Sequence, residues 1–265
     1  MDTIVSPAST ITGFPIKPGM TTRGVFMNKK ITIGHLYPKQ MNVYGDLGNI
    51  LTLQYRLQQR GIEGIYVAVD SLKTISEQKI DILVGGGGQD SNQELVQNDL
   101  QKYKSELVSQ CNDGMVALMI CGMYQLFGNK FILSDGSEVA GIGFFNMETR
   151  AGQDRLIGNV VVSSDFGRLV GFENHSGRTY LQGGLAPLGK VVKGAGNNGE
   201  DGTEGAIHKN VFGTYMHGPG LAKNPKLADE LISRALVQKY GTADLAQIDD
   251  SIEQQASTVA SKRPR

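Results

Sequence analysis

Tryptophan is absent from this 265-residue chain, and cysteine occurs only at Cys111 and Cys121. Two cysteines in a chain of this size make no disulfide framework and no Cys-x-x-Cys pair for zinc or redox work, so a reduced, cytoplasmic protein is the expectation. Charge of one sign is also missing. Lys+Arg and Asp+Glu both number 26, and no net field favours nucleic acid or an acidic membrane. With 7% aromatic residues and no tryptophan, a stacking platform for single strands is not expected either. No apolar run approaches the roughly 20 residues that span a bilayer. The opening "MDTIVSPASTITGFPIKPGMTTRGVF" has neither a basic start nor a compact apolar stretch, and does not read as a signal peptide. Rich in Thr, Ser, Pro and Gly, residues 1–28 read as a poorly ordered extension.

Glycine, in contrast, is abundant: 35 of 265 residues, near twice the usual share of about 7%. The glycines gather at the ends of apolar runs, which suits sharp strand-to-loop turns and backbone lying close to a ligand. "KITIGHLYP" (30–38), "IEGIYVAVD", "KIDILVGGGGQD" (79–90) and "MVALMI" (115–120) read as strands. Between them, 45–61 and 91–113 read as helices. This alternation predicts an α/β fold, a mostly parallel central sheet flanked by helices. After about residue 140, short β-type runs separated by Gly, Asn and Asp suggest antiparallel strands added to that sheet. "GNNGEDGTEGA" (196–206) reads as a surface loop, 210–217 as a last strand, and "PKLADELISRALVQKYG" as a helix. Residues 29–243 therefore form one domain, with 244–265 a tail whose "SKRPR" end frays.

In parallel sheets ligands lie beyond the C-terminal ends of the strands. Two turns fall there, "GGGG" (85–88) and "CGMYQ" (121–125). Cys121 ends a buried strand, precedes Gly122 and opens a helical segment, the layout of a nucleophile elbow with backbone N–H groups facing the side chain. A small, buried core cysteine fits the same position. A cysteine nucleophile needs a base, normally histidine. His35, His175, His208 and His217 are available; His217 ends the last apolar run, at the same sheet edge as Cys121, whereas His208 precedes that run.

Taken in order, "DILVGGGGQD", "LMICGMYQLFG", "GFENHSGRTY" and "GTYMHGPGL" resemble the class I (triad) glutamine amidotransferases, of flavodoxin-like fold. The subgroup resembled is that of the cobyric acid synthases, and within it the glutaminase subunits of lipid II isoglutaminyl synthases. "LYPKQMNVYGDLGNI" and "GIGFFNMETRAGQDRLIGNVVV" are similar to the family's first strand with its turn and to its central segment. The resemblance implies that Cys121 attacks the glutamine side-chain amide and that His217 is its acid and base. It implies oxyanion contacts from Gly87 or Gly88 and from Gly122, and glutamine contacts from Gln125 and Arg155, Arg155 taking the α-carboxylate. Surface positions for Gln125 and Arg155 are the bland alternatives. Arg178 is a weaker candidate, and His175 reads as a packing residue.

One departure stands out. Many triad amidotransferases place Glu two residues after the histidine; here His217 is followed by Gly218, Pro219 and Gly220. Asp46, Glu173 or a residue of a partner subunit could hold the imidazole instead. "GGGGQDSN" lacks the Gly-Lys-Ser/Thr of a phosphate-binding loop, so no cofactor is expected in this chain. By resemblance, ATP and magnesium belong to a MurT-like, Mur-ligase-family synthetase that amidates the D-glutamate α-carboxylate of lipid II to D-isoglutamine, in a heterodimer with this chain. Ammonia supply for a corrinoid or another amidation is the alternative, and an inactive binding subunit the alternative of another class.

Overall fold

The computed structural model describes residues 29–88 and 90–264. Among these, the first sheet has the order β11-β12-β4-β3-β1-β2. Its strands are β1 (Lys30–Leu36), β2 (Glu63–Val69), β3 (Ile82–Gly85), β4 (Val116–Ile120), β11 (Ala206–His208) and β12 (Val211–Thr214). All neighbours pair in parallel except β11 against β12. β3, β4 and β12 are buried along their whole lengths, as expected for strands covered on both faces. The helix α1 (Leu47–Gln58) packs on β1 and β2, and α7 (Pro225–Tyr240) packs on β3 and β4. α7 buries Leu227, Ala228, Leu231, Ile232, Ala235 and Leu236, a helical stripe, and ends at Gly241 in the left-handed conformation.

The later strands depart from the sequence expectation. Apart from β11 and β12 they do not extend the first sheet; they build a second one, β10-β9-β7-β5-β6 with β8 paired to β7. Its members are β5 (Lys130–Ile132), β6 (Glu138–Ala140), β7 (Met147–Ser164), β8 (Gly167–Leu181), β9 (Gly189–Lys193) and β10 (Thr203–Glu204). The cause is the length of β7 and β8, 18 and 15 residues, whose long antiparallel hairpin supplies its own pairing. The two sheets meet where Phe172 of β8 exchanges backbone hydrogen bonds with His217 (N–H to O, 3.2 and 2.8 Å).

Three other expectations are corrected. The helix over 91–113 is two, α3 (Asp90–Lys102) and α4 (Lys104–Asn112), interrupted at Tyr103, whose φ of −106° and ψ of 13° leave the helical well. The segment 196–206 is not a simple surface loop. Asn197 is fully buried, and its amide bridges Tyr124, Thr203 and Gly205. The tail is ordered: α8 (Ser251–Lys262) packs on β7, β8 and α6 (Gly220–Lys223). Arg56, 1% exposed, ties it down by binding Asp229 through Nε and Nη2 and Asp250 through Nη1, at 2.7, 2.6 and 2.6 Å. The extension 1–28 lies outside the described residues. Among the described residues no helix is long and apolar enough to cross a membrane.

Candidate active site

β4 runs directly into a short helix, α5 (Gly122–Leu126), with Cys121 as the hinge residue between them. Its φ of 51° and ψ of −106° lie outside the wells open to a side chain, at a cost of about 1–3 kcal/mol. The surroundings hold it there: Cys121 N–H donates to Thr214 O of β12 at 2.9 Å, and its carbonyl accepts from Gln125 N–H at 2.9 Å. Such strain at the end of a buried strand lifts a nucleophile out of the sheet. Cys111 is a different case. It is sealed inside the core on α4, and burial pushes its thiol up to about 12.

His217 follows β12 by three residues and is 1% exposed. Its main chain is pinned to β8 by the Phe172 bridge. Below it, the buried carboxyl of Glu204 accepts from Thr214 Oγ1 and Tyr215 N–H, at 3.0 and 2.7 Å, which fixes the approach from β12; burial raises that carboxyl to about 7. The imidazole Nδ1 lies 3.2 Å from Asp46 Oδ1. Nε2 has no hydrogen-bond partner among the described residues, and Cys121 and the ring crowd the same side of Gly87, close enough for the thiol to act on the ring's charge. Burial works against a charged ring, but Asp46 and Cys121 outweigh it and raise His217 to about 10. A carboxylate, an imidazole and a thiol thus form one chain of contacts. Of the carboxylates the sequence leaves open, Asp46 is the one at the ring. Glu173 faces another way, accepting from Ala195 and Gly196 N–H at 2.8 Å each.

Around Cys121 and His217 lies a cleft of about 320 Å³. Gly87, Gly88, Gln125 and Arg155 line it, as do Tyr44 and His175. The guanidinium of Arg155 among its lining residues suits it to an anionic group. Arg155 is held across the cleft mouth by Asn174, Nε to Oδ1 at 2.9 Å and Nη2 to the carbonyl at 3.0 Å. Asn174 in turn donates to Tyr44 Oη at 2.6 Å, and the Tyr44 ring meets His217 edge-on at 4.9 Å. Gln125 is not a surface residue: it is 4% exposed and donates to Tyr215 Oη at 3.1 Å. Arg178 binds the carbonyls of Ser176 and Asp154, and so braces the backbone beside the cleft. His175 stacks on Tyr215 with centroids 3.6 Å apart. Burial, with Arg178 and His217 nearby, lowers it to about 3, so it stays neutral.

The glycine turn differs from expectation in one respect. Gly87 N–H is already engaged, donating to Asp46 Oδ2 at 2.7 Å, and is therefore not offered to the cleft. The reason for glycine there is steric. A Cβ at Gly87 would lie 2.8 Å from His217 Cε1 and 3.3 Å from Cys121 Cβ. The other histidines stay apart: His35 is buried beside Tyr66, and His208 packs near Phe144. A larger cleft, about 440 Å³, opens at the opposite ends of the strands around Ile80, Asp81 and Met115, and no cysteine or histidine lines it. Sequence reasoning missed Tyr44 and Asn174. Both stood in quoted segments, and only the folded loop shows that they meet.

Residues 32–225 match the CobB/CobQ-like glutamine amidotransferase domain. The chain is 42% identical over 231 residues to "Lipid II isoglutaminyl synthase (glutamine-hydrolyzing) subunit GatD" of Staphylococcus aureus (strain N315), covering 87% of this chain and 94% of that one. It is 40% identical over 215 residues to the protein of the same description from Streptococcus pneumoniae (strain ATCC BAA-255 / R6), covering 80% and 83%. A probable cobyric acid synthase of Methanosphaera stadtmanae is 30% identical over 215 residues, 75% of this chain and 40% of that protein. A solved glutamine amidotransferase shares the fold, with a TM-score of 0.55 at 14% identity over 77% of this chain and 98% of that one. The chain belongs to the CobB/CobQ-like glutamine amidotransferase family.

Proposed function

We propose that this chain is the glutaminase subunit of a lipid II isoglutaminyl synthase, acting in the cytoplasm. The observation that carries the chemistry is the Cys121–His217–Asp46 contact chain in a cleft with Arg155 at its mouth. Arg155, held by Asn174, presents its guanidinium to the α-carboxylate of L-glutamine. The Cys121 thiolate attacks the side-chain amide carbon, forming a C–S bond. The oxyanion is held by backbone N–H groups of Gly122, which heads α5, and of the glycine turn. As the intermediate collapses, His217 passes its proton to the nitrogen, the C–N bond breaks, ammonia leaves and a γ-glutamyl thioester remains. Water then attacks the thioester while His217 takes its proton, and glutamate is released with the thiolate restored. Gln125 lies within the same cleft, its amide oriented by Tyr215, and contacts the substrate.

The descriptions of the two GatD relatives support the wider role. On that reading the ammonia passes to a MurT-like, Mur-ligase-family synthetase, which binds ATP and magnesium and converts the D-glutamate of the lipid II stem peptide to D-isoglutamine. The test is co-expression with that synthetase, followed by incubation with lipid II, ATP and glutamine labelled with ¹⁵N at the amide. The label is expected in D-isoglutamine. Glutamine hydrolysis without any transfer of label to lipid II contradicts the assignment of the acceptor.

A further inference from the structure

We propose that Asp46 is a two-sided positioning residue: one carboxylate oxygen orients His217 and the other fixes the glycine turn, so that one side chain sets both the base and the oxyanion site. The inference deepens the glutaminase reading above and rests on it.

Asp46 is 1% exposed, and a carboxylate so buried needs partners on its oxygens. Oδ1 meets His217 Nδ1 at 3.2 Å, and Oδ2 accepts from Gly87 N–H at 2.7 Å. The turn is held at two further points. Gly86 O accepts from Met123 N–H of α5 at 3.4 Å, and Gly87 O accepts from Val43 N–H at 3.1 Å. In a trans peptide the C=O and N–H point to opposite sides. The Gly86–Gly87 peptide therefore aims its carbonyl at α5 and its N–H at Asp46. The Gly87–Gly88 peptide aims its carbonyl at Val43, which directs the Gly88 N–H to the other side.

Two conclusions follow. Gly88, not Gly87, supplies the turn's donor to the oxyanion. Val43 and Asp46, both in the loop between β1 and α1, govern its direction together. The packing leaves the turn little freedom to compensate. A Cβ at Gly86 would come within 2.5 Å of Met41 O and 2.8 Å of Asp46 Oδ2, so loop and turn are in backbone-to-backbone contact.

Asp46→Asn and Asp46→Ala separate the two sides. Asparagine keeps an oxygen for Gly87 N–H but removes the carboxylate from the imidazole; alanine removes both. Alkylation of Cys121 by iodoacetamide reports on the thiol and His217 without using an oxyanion site. The pH profile of that reaction is expected to shift in the same direction in both variants. Glutamine kcat is expected to fall at least about tenfold further in Asp46→Ala than in Asp46→Asn, because a misdirected oxyanion donor adds to the lost orientation of the base. Equal kcat losses in the two variants overturn the proposal, as does an unshifted alkylation profile.

Should Asp46→Ala not fold, the Gly87 amide of the wild-type chain decides the point by NMR. Bound to a carboxylate, it appears downfield and exchanges slowly with solvent; exchange as fast as that of an exposed loop overturns the proposal. If the wild type releases no ammonia, the glutaminase reading fails, while the amide and alkylation measurements still decide the role of Asp46.

Discussion

Asp46 and His217 are 171 positions apart in sequence and meet at 3.2 Å, both 1% exposed. The loop after the first strand thereby brings a carboxylate to the imidazole of a chain that lacks one two residues beyond His217.

That contact has a pH signature. His217 is raised from its ordinary 6.5 to about 10, against burial, by Asp46 and Cys121. A ring with a raised folded pKa contributes stability fully below its unfolded value. The contribution is lost as pH climbs through the folded one. The melting temperature of the wild type should therefore exceed that of His217→Gln by a margin that is constant below pH 6.5 and shrinks up to about pH 10. A margin independent of pH across this range contradicts the pairing.

Gly87→Ala tests the crowding at the site. Its methyl group would lie 2.8 Å from His217 Cε1, closer than real contacts allow, and the ring must move. Misplacing a base costs on the order of 10²-fold in rate. We expect that loss in glutamine kcat together with a destabilisation of about 1–3 kcal/mol from the overpacked site. Full activity in Gly87→Ala would show that the turn is more distant than the geometry has it.

Arg155→Ala addresses substrate binding alone. Arg155 stands at the cleft mouth, on Asn174, and its loss should raise KM for glutamine by roughly 10- to 100-fold, the range of a charge-assisted pair. Iodoacetamide should still label Cys121 at the wild-type rate. An unchanged KM places the α-carboxylate elsewhere.

Gly-rich turns after buried apolar runs located the strand ends, and with them Cys121 and His217, because a parallel sheet forces such turns to one edge. The carboxylate could only be narrowed to candidates. Its placement depends on a loop in which Tyr37 and Tyr44 adopt positive φ, 49° and 60°, conformations that tyrosine does not advertise. The second sheet is not legible for a related reason. Period-two patterning marks a strand but not its partner, and the pairing within the β7–β8 hairpin is long-range information. The helix of the tail is not legible for the same reason: polar α8 packs on β7, β8 and α6, and Asp250 before it binds Arg56 of α1, all partners distant in sequence.

Arg56→Leu measures that last link. Removing the buried guanidinium leaves Asp250 without its ion-pair partner and Asp229 with Arg60 alone, costing about 1–3 kcal/mol. Denaturant unfolding should show that loss, and limited proteolysis should cut between 242 and 264 in the variant but not in the wild type. Stability within about 0.5 kcal/mol of wild type would mean that the network is idle.

The most direct test of the account is ammonia release from L-glutamine by the chain, assayed with its synthetase partner, for wild type and Cys121→Ala side by side. Release by the wild type and none above background by the variant is expected, with both equally folded. Equal release by the two, or none by either, would contradict it.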